Sequence, residues 1–243
     1  MANIVAVDNK NHKNVQIDTG KLGLHGAKLN MVPVVMSEFS SAAVQYPLAI
    51  TKNEDTGKFV CVALLGFEVG ENLFWENGDW QGLYLPLQIR RQPFFVGTPN
   101  LSNEEQAGSV DYIVCIDSQS PAITNEGGMA LFDDRGLDTD YFQQAKACIA
   151  HILTGEADNK SLIENLQHMD LLQSLSLKIT FENQSSTRLN GLYTVNKDNL
   201  AKLTDEQILQ LHQLGLLESI QTLINSLGQV QTLIDLKNQR LEN

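Results

Sequence analysis

Trp75 and Trp80, the chain's two tryptophans, stand with Tyr84, Phe94 and the adjacent Arg90 and Arg91 in one stretch, "ENLFWENGDWQGLYLPLQIRRQPFF", residues 71–95. These types do recognition chemistry. Indole and phenol carry an apolar body with a polar handle, and Trp, Tyr and Arg are the residues most enriched at binding hot spots. A guanidinium fork suits a carboxylate, which it can bond bidentately. Asn77-Gly78 is a strong tight-turn signal, so "WENGDW" predicts a hairpin with the tryptophans near its mouth, able to meet across the strands. Pro86 and Pro93 bracket "LQIRRQ", a short stiff element on which neighbours point in different directions. One arginine is therefore expected to pair with an acid such as Glu71 or Glu76, and the other to face a ligand or partner. The alternative is that the tryptophans only fasten the hairpin to the core.

Other chemistry is thinly represented. The histidines are 12, 25, 151, 168 and 212, and no two have the spacing of a ready metal pair. "DDRGLDTD", residues 133–140, gathers four aspartates but not in the alternate register of a calcium loop; a turn into a capped helix is expected. Glu104 and Glu105 lie in "NLSNEEQAG", which reads as a solvated loop. No G-x-S-x-G, Walker or G-x-G-x-x-G pattern occurs, and no Ser or Cys comes with a His and an acid in a local signature. No catalytic residue, metal or cofactor is expected. Cys61, Cys115 and Cys148 are odd in number and set in apolar runs, which suits buried free thiols in a reducing compartment.

Composition narrows the partners. Seventeen Lys and Arg against 29 Asp and Glu give a net charge of −12, which repels a phosphate backbone, so nucleic acid is not expected. Hydrophobic content of 42% with 19% charged residues is ordinary for a chain that folds by itself. The first residues lack the basic start and apolar core of a secretory signal, and no window reaches the apolar length of a membrane span. A cytoplasmic protein is the expectation.

The elements that must position the aromatic segment form two halves. Residues 1–30 are polar and read as an irregular N-terminal arm. "MVPVVM" and "YPLAI" carry prolines that confine them to strand starts or sheet edges. "KFVCVALL" is apolar on both faces, a strand inside a covered sheet, and "NEDTG" (53–57) supplies its hairpin turn. "DYIVCID" has the same two-sided apolarity and is expected to pair near residue 60. "DYFQQAKACIAHIL" has helical spacing, with Asp140 and Gln143 in capping-box register and Gly155 at its end. "LSLKITFE" alternates strictly, and "GLYTVN" is a last short strand. Thr204 caps a helix with Gln207, Gly215 stops or bends it, and one long helix runs from about Leu216 to Gln239. Its apolar stripe favours packing within the domain over a dimer seam, and a homo-oligomer stays an open alternative. The fold class expected is α+β: a mainly antiparallel sheet in the N-terminal half, packed with a helical C-terminal half as a single domain over 31–243.

Three stretches resemble the bacterial SapC family: "ALLGFEVGENLFWENGDWQGLYLPLQIRRQPF" (63–94), "LFDDRGLDTDY" (131–141) and "GLYTVNKDNLAKLTDEQILQLHQLGLLESIQTLINSLGQ" (191–229). They lie in the family's order. The resemblance implies an association with surface layers or with outer-membrane nutrient receptors, and no defined reaction. The leading expectation is a non-catalytic SapC-like accessory protein that uses Trp75, Trp80, Tyr84, Arg90, Arg91 and Phe94 to bind a protein partner or a small carboxylate-bearing ligand. An enzyme with a dispersed active site and a surface-layer structural protein are the alternatives.

Overall fold

The computed structural model describes residues 3–53, 56–97 and 112–242. In chain order the strands are β1 (Ile4–Ala6), β2 (Gln16–Ile17), β3 (Met31–Pro33), β4 (Leu48–Lys52), β5 (Phe59–Leu64), β6 (Trp75–Glu76), β7 (Asp79–Trp80), β8 (Phe94–Gly97), β9 (Ile113–Asp117), β10 (Ile123–Thr124), β11 (Met129–Ala130), β12 (Leu172–Thr180) and β13 (Ser186–Val195). The α-helices are α1 (Phe39–Ala42), α2 (Leu87–Arg90), α3 (Asp140–His168), α4 (Lys197–Leu200), α5 (Asp205–Gln213), α6 (Leu216–Ser226) and α7 (Val230–Glu242). The class is mixed α+β, with the antiparallel strands mostly N-terminal and the helices mostly C-terminal.

The chain divides into two compact units, one of residues 1–25 and 87–153, the other of 26–86 and 154–243. In the first, β9 lies between β1 and β8, and β2 between β10 and β11, all antiparallel. "DYIVCID" thus pairs with these neighbours and not with the strand near residue 60. Its apolarity misled: only Ile116 is buried, while Ile113 is exposed. The first 30 residues, expected to be irregular, carry β1, β2 and a 3-10 segment, Thr19–Gly26. Phe94, Phe132 and Phe142 form this unit's aromatic core, with centroids 5.5 and 5.4 Å apart around Phe142.

The second unit is built on a five-stranded sheet, β12-β13-β4-β5-β3. Pro33 ends the edge strand β3, and Pro47 immediately precedes β4, the positions in which a missing N–H does least harm. Strand β5 is buried from Cys61 to Leu64, and its hairpin with β4 closes through Asn53 N–H to Lys58 O at 2.8 Å; the middle of "NEDTG" lies outside the described residues. On β12, Leu175, Leu177 and Ile179, with Phe181 just past its end, alternate with exposed neighbours as their spacing predicts. "GLYTVN" proves to be the end of a ten-residue strand, β13.

Helices differ from their sequence reading at three points. Thr139, not Asp140, caps α3: its hydroxyl accepts the Phe142 N–H at 3.3 Å. Gly155 does not end that helix, which runs 29 residues. A Cβ at 155 would sit 2.5 Å from Cβ of Val35, so the glycine is there for close approach. Gly155→Ala should therefore lose about 1–3 kcal/mol through overpacking, although removing a mid-helix glycine normally gains up to about 1 kcal/mol. Urea unfolding reads the sign directly, and a stabilised variant would refute the close-packing account. The last helix is two helices, α6 and α7, joined by a 3-10 turn at Leu227–Gln229. At the break Ser226 turns its hydroxyl to the Leu48 N–H, 2.9 Å away. The Thr204–Gln207 capping box is present in both directions, and Gly215, at φ 68°, turns the chain into α6.

Candidate functional site

Asn77 and Gly78 take positive φ, 52° and 85°, the pair of conformations a two-residue hairpin needs to match strand twist. The result sets Trp75 opposite Trp80 and Glu76 opposite Asp79. Trp80 is anchored: its indole N–H is shared between Tyr46 Oη and Tyr84 O, each at 3.3 Å. Tyr46 donates its hydroxyl to the same Tyr84 carbonyl and meets Phe74 edge-on at 4.7 Å. Burial pushes the Tyr46 pKa up to about 12, so the phenol stays neutral and keeps its proton to donate. Tyr84 in turn donates to Glu38 Oε2 at 2.8 Å, and Glu38, 3% exposed, takes the Val35 N–H on its other oxygen at 2.9 Å. Gly82 completes the knot, because a Cβ there would collide with Tyr46 Oη and Trp80 Nε1. Leu83 follows, its N–H bonded to Gln45 Oε1 at 2.6 Å.

Trp75 differs from Trp80. Both are half-buried, but no described group accepts the Trp75 indole N–H; its backbone N–H bonds Asn72 O at 3.3 Å and its carbonyl accepts Arg240 Nη2 at 2.7 Å. Beside this hairpin the side chain of Leu83 is 84% exposed, and Val69, in the preceding loop, is 96% exposed. That loop is tied to α7 one turn before Arg240, where Lys237 bonds Glu71 and reaches Glu68 at 3.6 Å. Glu71, the expected partner of an arginine, is thus held by Lys237.

The other expected residues belong to the first unit. Arg90 is exposed at the end of α2. Arg91 donates from Nε to Gln88 Oε1 at 2.8 Å and from Nη1 to Phe94 O, and lies 4.6 Å over the Phe95 ring. Phe94 is fully buried against Phe142 and Tyr141, a packing role and not a surface one. The structure therefore brings Trp75, Trp80 and Tyr84 together, and separately Arg91 and Phe94.

The same unit holds the nearest approach to acid–base chemistry. His25 Nε2 is 3.1 Å from Ser120 Oγ, which also accepts the Ala122 N–H at 3.2 Å. Burial lowers the His25 pKa, Asp117 opposes this and Arg91 adds to it. The Ser120 residue is only 6% exposed, so the bond serves to pin the turn. A cleft of about 640 Å³ is lined by Val7, Ile113, Phe132, Phe142 and Lys146 among others; Lys146 is held by Asp138 at 2.6 Å and lies over Phe142. "DDRGLDTD" is the expected turn, with the Asp133 carboxylate accepting the N–H groups of Arg135 and Leu137. Among the described residues, no group of three or more His, Cys, Asp or Glu could hold a metal ion, and no helix is long and apolar enough to cross a membrane. All three cysteines are free; Cys61 is buried, while Cys115 and Cys148 are only half-buried.

Compared with known families, the chain matches the SapC profile over residues 7–233. It belongs to the SapC family. No curated protein and no solved structure matches it. All three stretches that carried the resemblance lie inside the SapC match. Sequence reasoning missed Tyr46, Glu38 and Gln45, which build the knot under the SapC hairpin. The one local signal was Tyr46 before Pro47; its partner Trp80 lies 34 residues on.

Proposed function

We propose that this SapC-family protein is a binding or accessory protein that docks a protein partner on the face carrying Trp75, Trp80 and Leu83. The observation that carries this reading is the contrast between the tryptophans. Trp80 has its indole N–H satisfied inside the fold, whereas no described group accepts the Trp75 indole N–H, and Leu83, three residues after Trp80, is exposed. An amphipathic ring with no internal acceptor, in a segment that also exposes a leucine, has the composition of an interface anchor. The three unbridged cysteines support a reducing compartment, the cytoplasm, for this activity.

Leu83→Asp tests the reading cleanly, because an exposed side chain contributes little to the fold. Stability should stay within about 0.5 kcal/mol of the parent, while capture of a partner from the native cell should be lost. Trp75→Ala should weaken the same capture. A partner retained undiminished by both variants would end the docking proposal.

A further inference from the structure

We infer that a pocket in the second unit binds a small aliphatic amine, a ligand separate from any partner of the hairpin. The pocket has a volume of about 240 Å³ and is lined from α6, from α3 and from the segment 36–40. Glu218, Ser219 and Thr222 supply the α6 wall, and their three- and four-residue spacings put them on one face of the helix. Asp158 comes from α3, and Ser37 and Ser40 from the segment 36–40. The next residue of α3 fixes these walls to each other. The Asn159 side chain, in a residue 9% exposed, accepts the Met36 N–H at 2.7 Å and donates to Val34 O at 2.8 Å.

The Ser219 hydroxyl and the two carboxylates set the chemistry. Ser219 is only 8% exposed. A buried helical hydroxyl ordinarily bonds a carbonyl one turn back, as Thr222 does to Glu218 O at 2.8 Å. The Ser219 hydroxyl has no partner among the described residues, so its bonding capacity is left to the pocket that it lines. Asp158 and Glu218 line the same pocket, and neither forms an ion pair with a described residue. Lys160, two residues after Asp158, is turned to Glu164 at 3.8 Å. Glu218 takes only the Ser40 hydroxyl, on Oε1 at a long 3.4 Å, which leaves Oε2 open. An ammonium group has three N–H donors and no acceptor, while ionised carboxylates only accept. Two carboxylates and a serine oxygen therefore make the acceptor set that one ammonium needs, and bonds between ionised groups are the strong ones. An anion would be repelled by both acids, and a neutral polyol would leave their charge unmet. A metal ion fits less well, because no group of three or more His, Cys, Asp or Glu comes together among the described residues, whereas calcium takes six to eight oxygens. The volume lies below the range of about 300–1,000 Å³ usual for larger ligands, so the amine is short.

Calorimetric titration of the full-length protein with 1,4-diaminobutane, and with 1,4-butanediol as its uncharged match, tests the assignment. The diamine should bind saturably and the diol should not bind. Asp158→Asn and Glu218→Gln should each weaken the diamine about tenfold or more, whereas Glu182→Gln, an exposed acid of the same unit, should change it less than about twofold. Ser219→Ala should also weaken binding, yet leave the Tm unchanged or raised, since alanine is the better helix former and the change removes an unpaired buried hydroxyl. A serine with a purely structural role would instead lower the Tm and leave binding intact, which would remove Ser219 from the site. The proposal is overturned if the diol binds as well as the diamine, if magnesium chloride binds and the diamine does not, or if the two carboxylate variants bind the diamine as the parent does. It is equally overturned if the diamine gives no saturable heat.

Discussion

A chain ended after Gly215 should give insoluble protein and no folded monomer. The cut removes α6 and α7, and with them Leu216, Ile220, Leu223, Ile224 and Leu233, all buried. Helix α6 packs on β4, β13 and α1, so its loss uncovers one face of the five-stranded sheet. Each such side chain contributes about 1.5–3 kcal/mol on burial, and five together approach the whole stability of a typical domain, about 5–15 kcal/mol. The cut also strands the Leu48 N–H that Ser226 caps and the Glu71 carboxylate that Lys237 holds. Solubility after expression, circular dichroism and sedimentation would check it. A soluble, monomeric, cooperatively unfolding product would show that the helices serve association and not the core.

Lys237→Ala should cost about 3–5 kcal/mol, the penalty for leaving one member of a buried pair without its partner. The pair is part-buried, with side-chain exposures of 13% for Lys237 and 15% for Glu71, which puts the expected cost at the lower end of that range. Glu71 is held from its other side by the Phe67 N–H at 2.9 Å, so the carboxylate cannot simply swing to water. Replacing both charges, as Lys237→Met with Glu71→Leu, should recover much of the loss, because two apolar groups of similar volume avoid desolvating ions. Urea midpoints for the single and double variants make a cycle that isolates the pair. A single variant within about 0.5 kcal/mol of the parent would show that the pair is solvated and weak.

Legibility followed the range of the interactions. The hairpin at 75–80, the Thr204 capping box and the alternation of β12 were all readable, because each depends on residues within a few positions of one another. The aromatic segment was readable as important for the same reason: its residue types are local facts. Its division of labour was not. Whether Trp80 or Trp75 is the anchored ring depends on Tyr46, 34 residues earlier, and sequence spacing carries no information about such a contact.

The sequence by itself determined the α+β class, the turns, the caps and the apolar faces, since backbone preference and hydrophobic period act over a few residues. It also carried the SapC resemblance, a pattern of types in order. Tertiary structure alone decided the rest. It gave β9 its partners β1 and β8, because strand pairing chooses among all apolar runs and not the nearest. It carried α3 through Gly155, because Val35 needed the space. It assigned Glu71 to Lys237, 166 residues away, because burial leaves a carboxylate only the cations that the fold brings within reach.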